Sequence, residues 1–386
     1  MRIAIDGSLL SGEMSGVELS ILGLAGGLAC VATDDRVLMY VGRKFQHPSL
    51  PAGCVKLRRA AGAGPCRIRR IIWQQTALPF YVRAEQADVF HGPGYVLPVL
   101  GHVPSVVTVY DVIALTRPEL CKKSNVAHYR RVVPRSVRKA RLVIVPTRAV
   151  AAQLVSALGT SEHKIRVIPC GIDSRFKPAS DREKRELRDS LGLPGKYILF
   201  VGNLEPKKNL ESLIQAFFAA KVNKALPHKL VLAGKLAWKY EPILKLIASL
   251  GLDDEVLLPG YVPQEHLPAL YSAADMFVFP SLIEGFGIPP LEAMACGTPA
   301  IVSKDPALVE TTGGAAVEVE GTDLAGLREA IESVAGDKSL RARLVENGRA
   351  RAAQFSWVSS ARATLDAYHE AYSIAKNEIG PEDLLR

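Results

Sequence analysis

FPSLIEGFGIPPLEAMACGTPAIVSK, residues 279–304, is the stretch whose reading decides the fold. An apolar run, MFVFP, ends at Pro280 and reads as a buried strand. A glycine loop follows, with Glu284 ahead of Gly285, Phe286 and Gly287. Pro289 and Pro290 stand where a helix begins, since proline is tolerated in the first turn. That helix, Leu291 to Ala295, carries Glu292, and Gly297 closes it before a second apolar strand, Pro299 to Val302. Strand, glycine turn and helix N-terminus together make a place for anions and sugars. Amides point out of the turn, and the helix dipole favours negative charge.

Glu284 and Glu292 lie eight residues apart, on either side of the glycine turn. A pair that hydrolyses a glycoside flanks the bond from two separate elements. One carboxylate in a loop and one in a first helical turn suit hydrogen bonds to hydroxyls. Spacing alone leaves open a plainer reading, in which Glu292 only stabilises the helix dipole.

The whole chain has 386 residues, more than one hydrophobic core usually organises, so two domains are expected. Six scattered cysteines form no CxxC pair and no histidine cluster accompanies them, which points to a reducing compartment and no metal site. The sequence opens directly on RIAID, with no cleavable signal expected. The apolar stretch Leu22 to Ala32 is glycine-broken and too short to span a bilayer, so a cytoplasmic protein is expected. Charge is uneven. Residues 1–180 carry 25 Lys and Arg against 11 Asp and Glu, a net of +14, and the remainder nets −5. A basic half suits an anionic lipid, nucleic acid or a phosphorylated ligand alike.

Residues 1–170 alternate apolar runs (RIAID, RVLMYVG, ADVFHG, SVVTVYD, RLVIVP, KIRVIP) with helical patterns. A mostly parallel sheet covered on both faces is the architecture this predicts, an α/β fold. Gly12, Ser15 and Gly16 open the helix after the first strand; the loop lacks GxGxxG, and a phosphate contact from Gly16 is expected. Two basic segments follow. Residues 56–83 set Arg and Lys around Ile71, Ile72, Trp73, Phe80 and Tyr81, and residues 122–141 repeat Lys and Arg at helical spacing. Both suit peripheral contact with an anionic membrane, or else a solvated face or phosphate groove. Nucleic-acid recognition motifs are lacking and the aromatics do not form a stacking platform, so no nucleic-acid partner is expected.

CGIDSRFKP, residues 170–178, reads as a linker. Alternation then restarts with YILFVG, KLVLAG, EVLLPG, MFVFP and PAIVS. The first of these strands ends at Gly202, and the loop NLEPKKN places Lys207 and Lys208 at a helix start, well placed to neutralise a diphosphate. Segments 323–335, 338–353 and 356–375 read as helices.

Gly202-Asn203-Leu204-Glu205-Pro206-Lys207-Lys208-Asn209, Gly260-Tyr261-Val262-Pro263 and Glu284-Gly285-Phe286-Gly287 through Glu292 resemble the retaining glycosyltransferases of family 4, "glycosyl transferases group 1". The resemblance is dense over the second half and looser over the first. It implies the GT-B fold: two Rossmann-like parallel-sheet domains facing across a cleft, residues 1–172 on the acceptor side and 173–355 binding the nucleotide sugar. Residues 356–386 form a helix and tail packing back on the first domain. Donor contacts implied by the resemblance come from Gly16, Gly202, Asn203, Lys207, Lys208, Val262, Glu284, Gly285, Phe286, Gly287, Ile288, Leu291 and Glu292. Within that set, Glu292 takes the ribose hydroxyls, Glu284 the donor sugar, Lys208 the diphosphate and the Val262 backbone the base. Glu284, Lys208 and Asp111 are the catalytic set, Asp111 matching the first-domain motif in VVTVYDVIAL. Two positions depart from the family: Asn203 stands where many relatives carry arginine, with Lys207 expected to supply that charge, and Tyr110 stands where many carry histidine.

The activity implied is transfer of a sugar, mannose from GDP-mannose, to a glycan or polyprenyl-diphosphate-linked acceptor in surface polysaccharide synthesis, at the inner face of the membrane. No cofactor or metal is expected, as no D-x-D spacing occurs. A UDP-sugar donor, or a nucleotide-sugar-binding scaffold without turnover, is the alternative.

Overall fold

The computed structural model describes residues 1–10, 16–45, 55–64, 66–101, 103–224 and 226–378. Gly12, Ser15 and Cys54 lie outside them. The chain divides into two compact units, residues 1–171 together with 355–386, and residues 172–354.

Unit one holds seven strands: β1 (Arg2–Asp6), β2 (Arg36–Gly42), β3 (Val55–Ala60), β4 (Val89–Gly92), β5 (Ser105–Thr108), β6 (Leu142–Val145) and β7 (Ile165–Val167). They pair in the order β3-β2-β1-β4-β5-β6-β7, every pair parallel. Unit two holds β8 (Tyr197–Val201), β9 (Lys229–Ala233), β10 (Val256–Gly260), β11 (Met276–Phe279), β12 (Ala300–Ser303) and β13 (Val317–Val319). Their order is β10-β9-β8-β11-β12-β13, again parallel throughout. Such strands are covered on both faces, which is why they read as continuous apolar runs. Ile3, Ala4 and Ile5 of β1 are fully buried, as are Phe277 and Val278 of β11.

Each sheet reverses its strand order once. In unit one β2 and β4 lie on opposite sides of β1, and in unit two β9 and β11 lie on opposite sides of β8. Crossovers leave these strands in opposite directions, opening a crevice at their carboxyl ends.

The helices used below are α1 (Gly16–Val31), α2 (Arg67–Ala84) and α3 (Lys123–Lys139) in unit one. Unit two contributes α4 (Leu210–Lys224), α5 (Leu267–Ser272), α6 (Ile288–Ala295) and α7 (Pro306–Thr312), and α8 (Trp357–Glu378) returns to unit one. The α8 helix packs on α1, as the resemblance implied, and glycines make the close approach. A Cβ on Gly23 would lie 2.2 Å from Cε2 of Trp357, and one on Gly27 would lie 2.2 Å from the Trp357 carbonyl. Behind this seam the Tyr368 hydroxyl meets His91 Nδ1 at 2.7 Å, and His91 Nε2 meets the Thr108 hydroxyl at 2.8 Å. Burial lowers the His91 pKa to about 3, so the ring is neutral.

Two strands lie outside the sequence expectation. Within the stretch expected as a basic interfacial segment, Lys56–Ala60 belongs to β3, pairing with β2 at the sheet edge. Its alternating pattern was hidden because Arg58 and Arg59 stand among the apolar residues; an edge strand tolerates such charge. The other, β13, has three residues, too few for a periodic signal.

Candidate functional site

The sequence cues of unit two converge at its switch point. Beyond β8, Gly202 has φ +153°, and the chain turns through a short 3₁₀ segment, Pro206–Lys208, before α4. Asn209 then takes the left-handed conformation at φ +55°. It is held there by side-chain donation to the Pro280 carbonyl at 3.2 Å and the Gly321 carbonyl at 2.6 Å. This turn aims Lys208 inward. Its ammonium lies 4.5 Å from the centre of the Phe279 ring and donates to Glu284 Oε1 at 2.5 Å. Both side chains of this ion pair are 11% exposed.

Burial pushes the Glu284 carboxyl up, but the Lys208 and Lys207 ammoniums outweigh it and hold the pKa below the ordinary 4.5. Burial draws the Lys208 ammonium below its usual value, with Glu284 opposing. The pair is therefore ionised and mutually dependent. Lys207 has its ammonium 3.8 Å from Glu205, and its carbonyl accepts from the Leu282 amide at 2.8 Å, tying the lysine turn to the Glu284 loop.

Gly287 caps α6 at φ +117°, and a Cβ there would meet Leu308 Cδ2 at 2.7 Å. Only glycine satisfies both constraints. Because Pro289 and Pro290 lack an N–H, Ile288 supplies the amide of the first turn; the Leu291 amide reaches back to the Gly287 carbonyl at 3.5 Å. Leu291, Phe286 and Val262 are buried, so their side chains serve the packing of unit two.

Glu292 has its own partners. It is 7% exposed and accepts from the Tyr271 hydroxyl of α5 at 2.9 Å. Burial raises its pKa to about 7; the tyrosine hydrogen bond and Arg175 act against this, and Asp173 adds to it. Arg175 donates to Asp173 Oδ2 at 2.9 Å. The ammonium of Lys235, just beyond β9, sits 4.8 Å from the ring centre of Tyr261 on the loop after β10.

Sequence reasoning missed four residues. Asp305 caps α7, accepting from the Ala307 and Leu308 amides at 3.0 and 3.3 Å, and takes a further bond from the Glu284 amide. Burial lifts its pKa to about 6. Asp-Pro after an apolar strand is a helix-start signal that could have found it. Asp173 and Arg175 lay in what read as a linker, and Tyr271 carries no local signal.

The remaining candidates lie in unit one. Gly16 opens α1 with nothing within 4 Å of a Cβ position. Asp111 accepts from the Tyr95 hydroxyl at 3.0 Å and the Ile113 amide at 3.1 Å. Tyr110 turns its hydroxyl to a hydrogen bond with Ser20, and burial holds its pKa well above 10. Among the described residues no group of three His, Cys, Asp or Glu could hold a metal ion, and no helix is long and apolar enough to cross a membrane.

Residues 183–351 match the family model described as glycosyl transferases group 1, and residues 14–176 match that of glycosyltransferase family 4. The chain is 30% identical to the O-antigen chain mannosyltransferase B of Escherichia coli over 281 residues, 72% of this chain and 74% of that protein. It is 29% identical to the serotype-specific mannosyltransferase WbdA of Escherichia coli over 60% of this chain, but spans only 29% of that longer relative. Among solved structures, Anabaena HepE in complex with UDP and glucose superposes with a TM-score of 0.74 at 22% identity, covering 96% of this chain and 100% of that one. The two parallel-sheet units are those of the GT-B fold.

Proposed function

The chain belongs to the glycosyl transferases group 1 family, and on that premise we propose that it moves mannose from GDP-mannose to a growing glycan, with retention at the anomeric carbon. The observation that carries this reading is the buried Lys208–Glu284 pair at the switch point of unit two, beside the amide end of α6. A cation fixed next to a carboxylate provides for both parts of a nucleotide sugar. In the proposed step the bond from C1 to the diphosphate oxygen breaks, and the acceptor oxygen bonds C1 from the same face. The acceptor's proton passes to the departing phosphate. Lys208 and Lys207 neutralise the diphosphate, Glu284 positions the sugar hydroxyls, Glu292 takes the ribose hydroxyls, and Asp111 serves the acceptor. Ammonium groups meet the leaving charge, so activity should persist in EDTA.

The mannose assignment draws on the names of the Escherichia coli relatives, one of which names the O-antigen chain and so favours surface polysaccharide synthesis; an acceptor linked to polyprenyl diphosphate is the carrier this reading adds. A UDP-sugar donor is the second reading, favoured by the UDP held in the HepE structure. Contact with the inner face of a membrane is supported by α2, which exposes Ile68, Ile72, Phe80 and Tyr81 among its arginines; Trp73, expected on that face, is instead buried in the core of unit one. The solvent side of α3 is basic, with Arg130, Arg131, Arg135 and Arg138 exposed and none of its large apolar residues so. In this reading α2 enters the interface and α3 adds only charge.

Equilibrium titration of the wild type and Glu292→Ala with GDP and UDP tests the donor site. The proposal expects GDP to bind more tightly than UDP and the variant to lose at least tenfold in affinity, as for a hydrogen-bonded charged group. Unaltered affinity would remove Glu292 from the ribose.

A further inference from the structure

The Glu292 carboxylate on α6 lies against the end of α5, where the Tyr271 hydroxyl donates to Oε2 at 2.9 Å. The surroundings of Tyr271 fix that hydroxyl. Its side chain is fully buried. The ring meets Phe277 of β11 edge-on with centroids 5.5 Å apart, and Phe176 likewise at 6.1 Å. The Tyr271 carbonyl accepts from the Thr298 hydroxyl at 2.7 Å, which ties the end of α5 to the turn between α6 and β12. Close packing on several sides holds such a ring in one rotamer. Packing alone does not call for the oxygen. Phenylalanine would fill the same space, and a buried hydroxyl costs free energy unless it is bonded.

The charges around Glu292 give that oxygen a task. Burial favours the neutral acid, and Asp173 adds to this; the Tyr271 hydrogen bond and Arg175 favour the carboxylate. Arg175 is itself engaged with Asp173 at 2.9 Å. Cys296, at the end of α6, stays a thiol, its pKa pushed to about 12 by burial and then by the Glu292 charge. Burial and the same charge hold the Tyr271 hydroxyl well above 10, so it remains a donor. A carboxylate has about four lone-pair sites on two oxygens. Tyr271 uses one on Oε2, which leaves Oε1 and the rest of Oε2 for a pair of neighbouring hydroxyls.

We propose that Tyr271 is a positioning residue for ribose recognition: its hydroxyl orients the Glu292 carboxylate for the two ribose hydroxyls without itself touching the nucleotide. The same bond keeps Glu292 in the ionised form that accepts from them. This rests on the reading of Glu292 as the ribose contact, and the test separates the two.

Wild type and Tyr271→Phe are titrated between pH 6 and pH 9 with GDP and with 2′,3′-dideoxy-GDP, and with the corresponding UDP pair in parallel. The ratio of the two affinities isolates the ribose hydroxyls from base and phosphates. In wild type it should reach roughly tenfold or more at high pH, and rise with pH through about 7. Tyr271→Phe removes one oxygen and keeps the ring. It should move the midpoint of that rise upward by about one pH unit, the worth of a hydrogen bond to a charged group. At pH 7 the ionised share then drops from about a half to about a tenth, a roughly fivefold loss, most of which should return at pH 9. The carbon-13 shift of the Glu292 side-chain carboxyl in labelled protein reads the same proton without ligand and should show the same displacement. Melting temperature confirms that the variant is folded.

A folded Tyr271→Phe with the wild-type ratio and the wild-type midpoint overturns the proposal and leaves Tyr271 a packing residue. Wild type that holds each nucleotide and its dideoxy analogue equally overturns the ribose reading of Glu292, and the proposal with it.

Discussion

Glu292 is buried against the Tyr271 hydroxyl with its pKa raised to about 7, which makes two opposite pH effects readable at one residue. Ribose hydroxyls donate to a carboxylate, so nucleotide affinity should rise with pH from about 6 to 8, as the group ionises. Stability should run the other way. The folded state binds this proton more tightly than the unfolded chain does. Its contribution is therefore complete below the ordinary 4.5 and is lost as pH rises through about 7. Glu292→Gln keeps the shape and should flatten both profiles. A pH-independent wild-type affinity would refute the role. His91, with its pKa lowered to about 3, has the reverse linkage: its contribution is present above its ordinary 6.5 and is lost as pH falls toward 3.

The Lys208–Glu284 pair makes a sharper prediction. Lys208→Met leaves a carboxylate buried without its cation, a loss of roughly 3–5 kcal/mol in unit two by denaturant unfolding. Transfer should drop by a factor on the order of a hundred or more. The double variant Lys208→Met with Glu284→Gln should recover most of the stability and none of the activity. Recovery of activity would make the pair structural.

At the scale of elements, two glycine seams carry the argument. Gly287→Ala must force a side chain into positive φ and against Leu308, so the Glu284 loop shifts while the core of unit two is kept. Donor affinity should fall, and the melting temperature should fall with it by the few degrees that roughly 1–3 kcal/mol of backbone strain costs, measured by titration and calorimetry on the same sample. At the α1–α8 seam, Gly27→Leu drives a side chain into the Trp357 backbone and should destabilise unit one by more than the roughly 1–3 kcal/mol typical of overpacking. For α2, neutralising Arg69 together with Ile72→Ser should release the protein from anionic vesicles in co-sedimentation. Unchanged, salt-insensitive partitioning would contradict the electrostatic part of that contact.

Across the whole molecule, what the sequence made legible was what local chemistry records. Buried parallel strands announced themselves as apolar runs, and the glycine turn with its two prolines announced the start of α6. The edge strand β3 stayed hidden because Arg58 and Arg59 broke its pattern, and β13 was too short. In the site, Lys208 and Glu284 were both nameable, yet their ion pair joins residues 76 apart and exists only through the sheet order β8-β11. Tyr271 escaped for the same reason, its partner Glu292 lying 21 residues along the chain, whereas Asp305 carried a local Asp-Pro signal that went unread and the Asp173–Arg175 pair lay in a stretch that reads as a linker.

The central claim is that this chain transfers a sugar from a nucleotide diphosphate held in unit two. Its most direct test is incubation of the purified protein with radiolabelled GDP-mannose, and in parallel with UDP-sugars, in the presence of lipid-linked acceptor. The account predicts label in the acceptor from GDP-mannose, lost in Lys208→Met and Glu292→Ala. Neither transfer nor hydrolysis with any nucleotide sugar would contradict it.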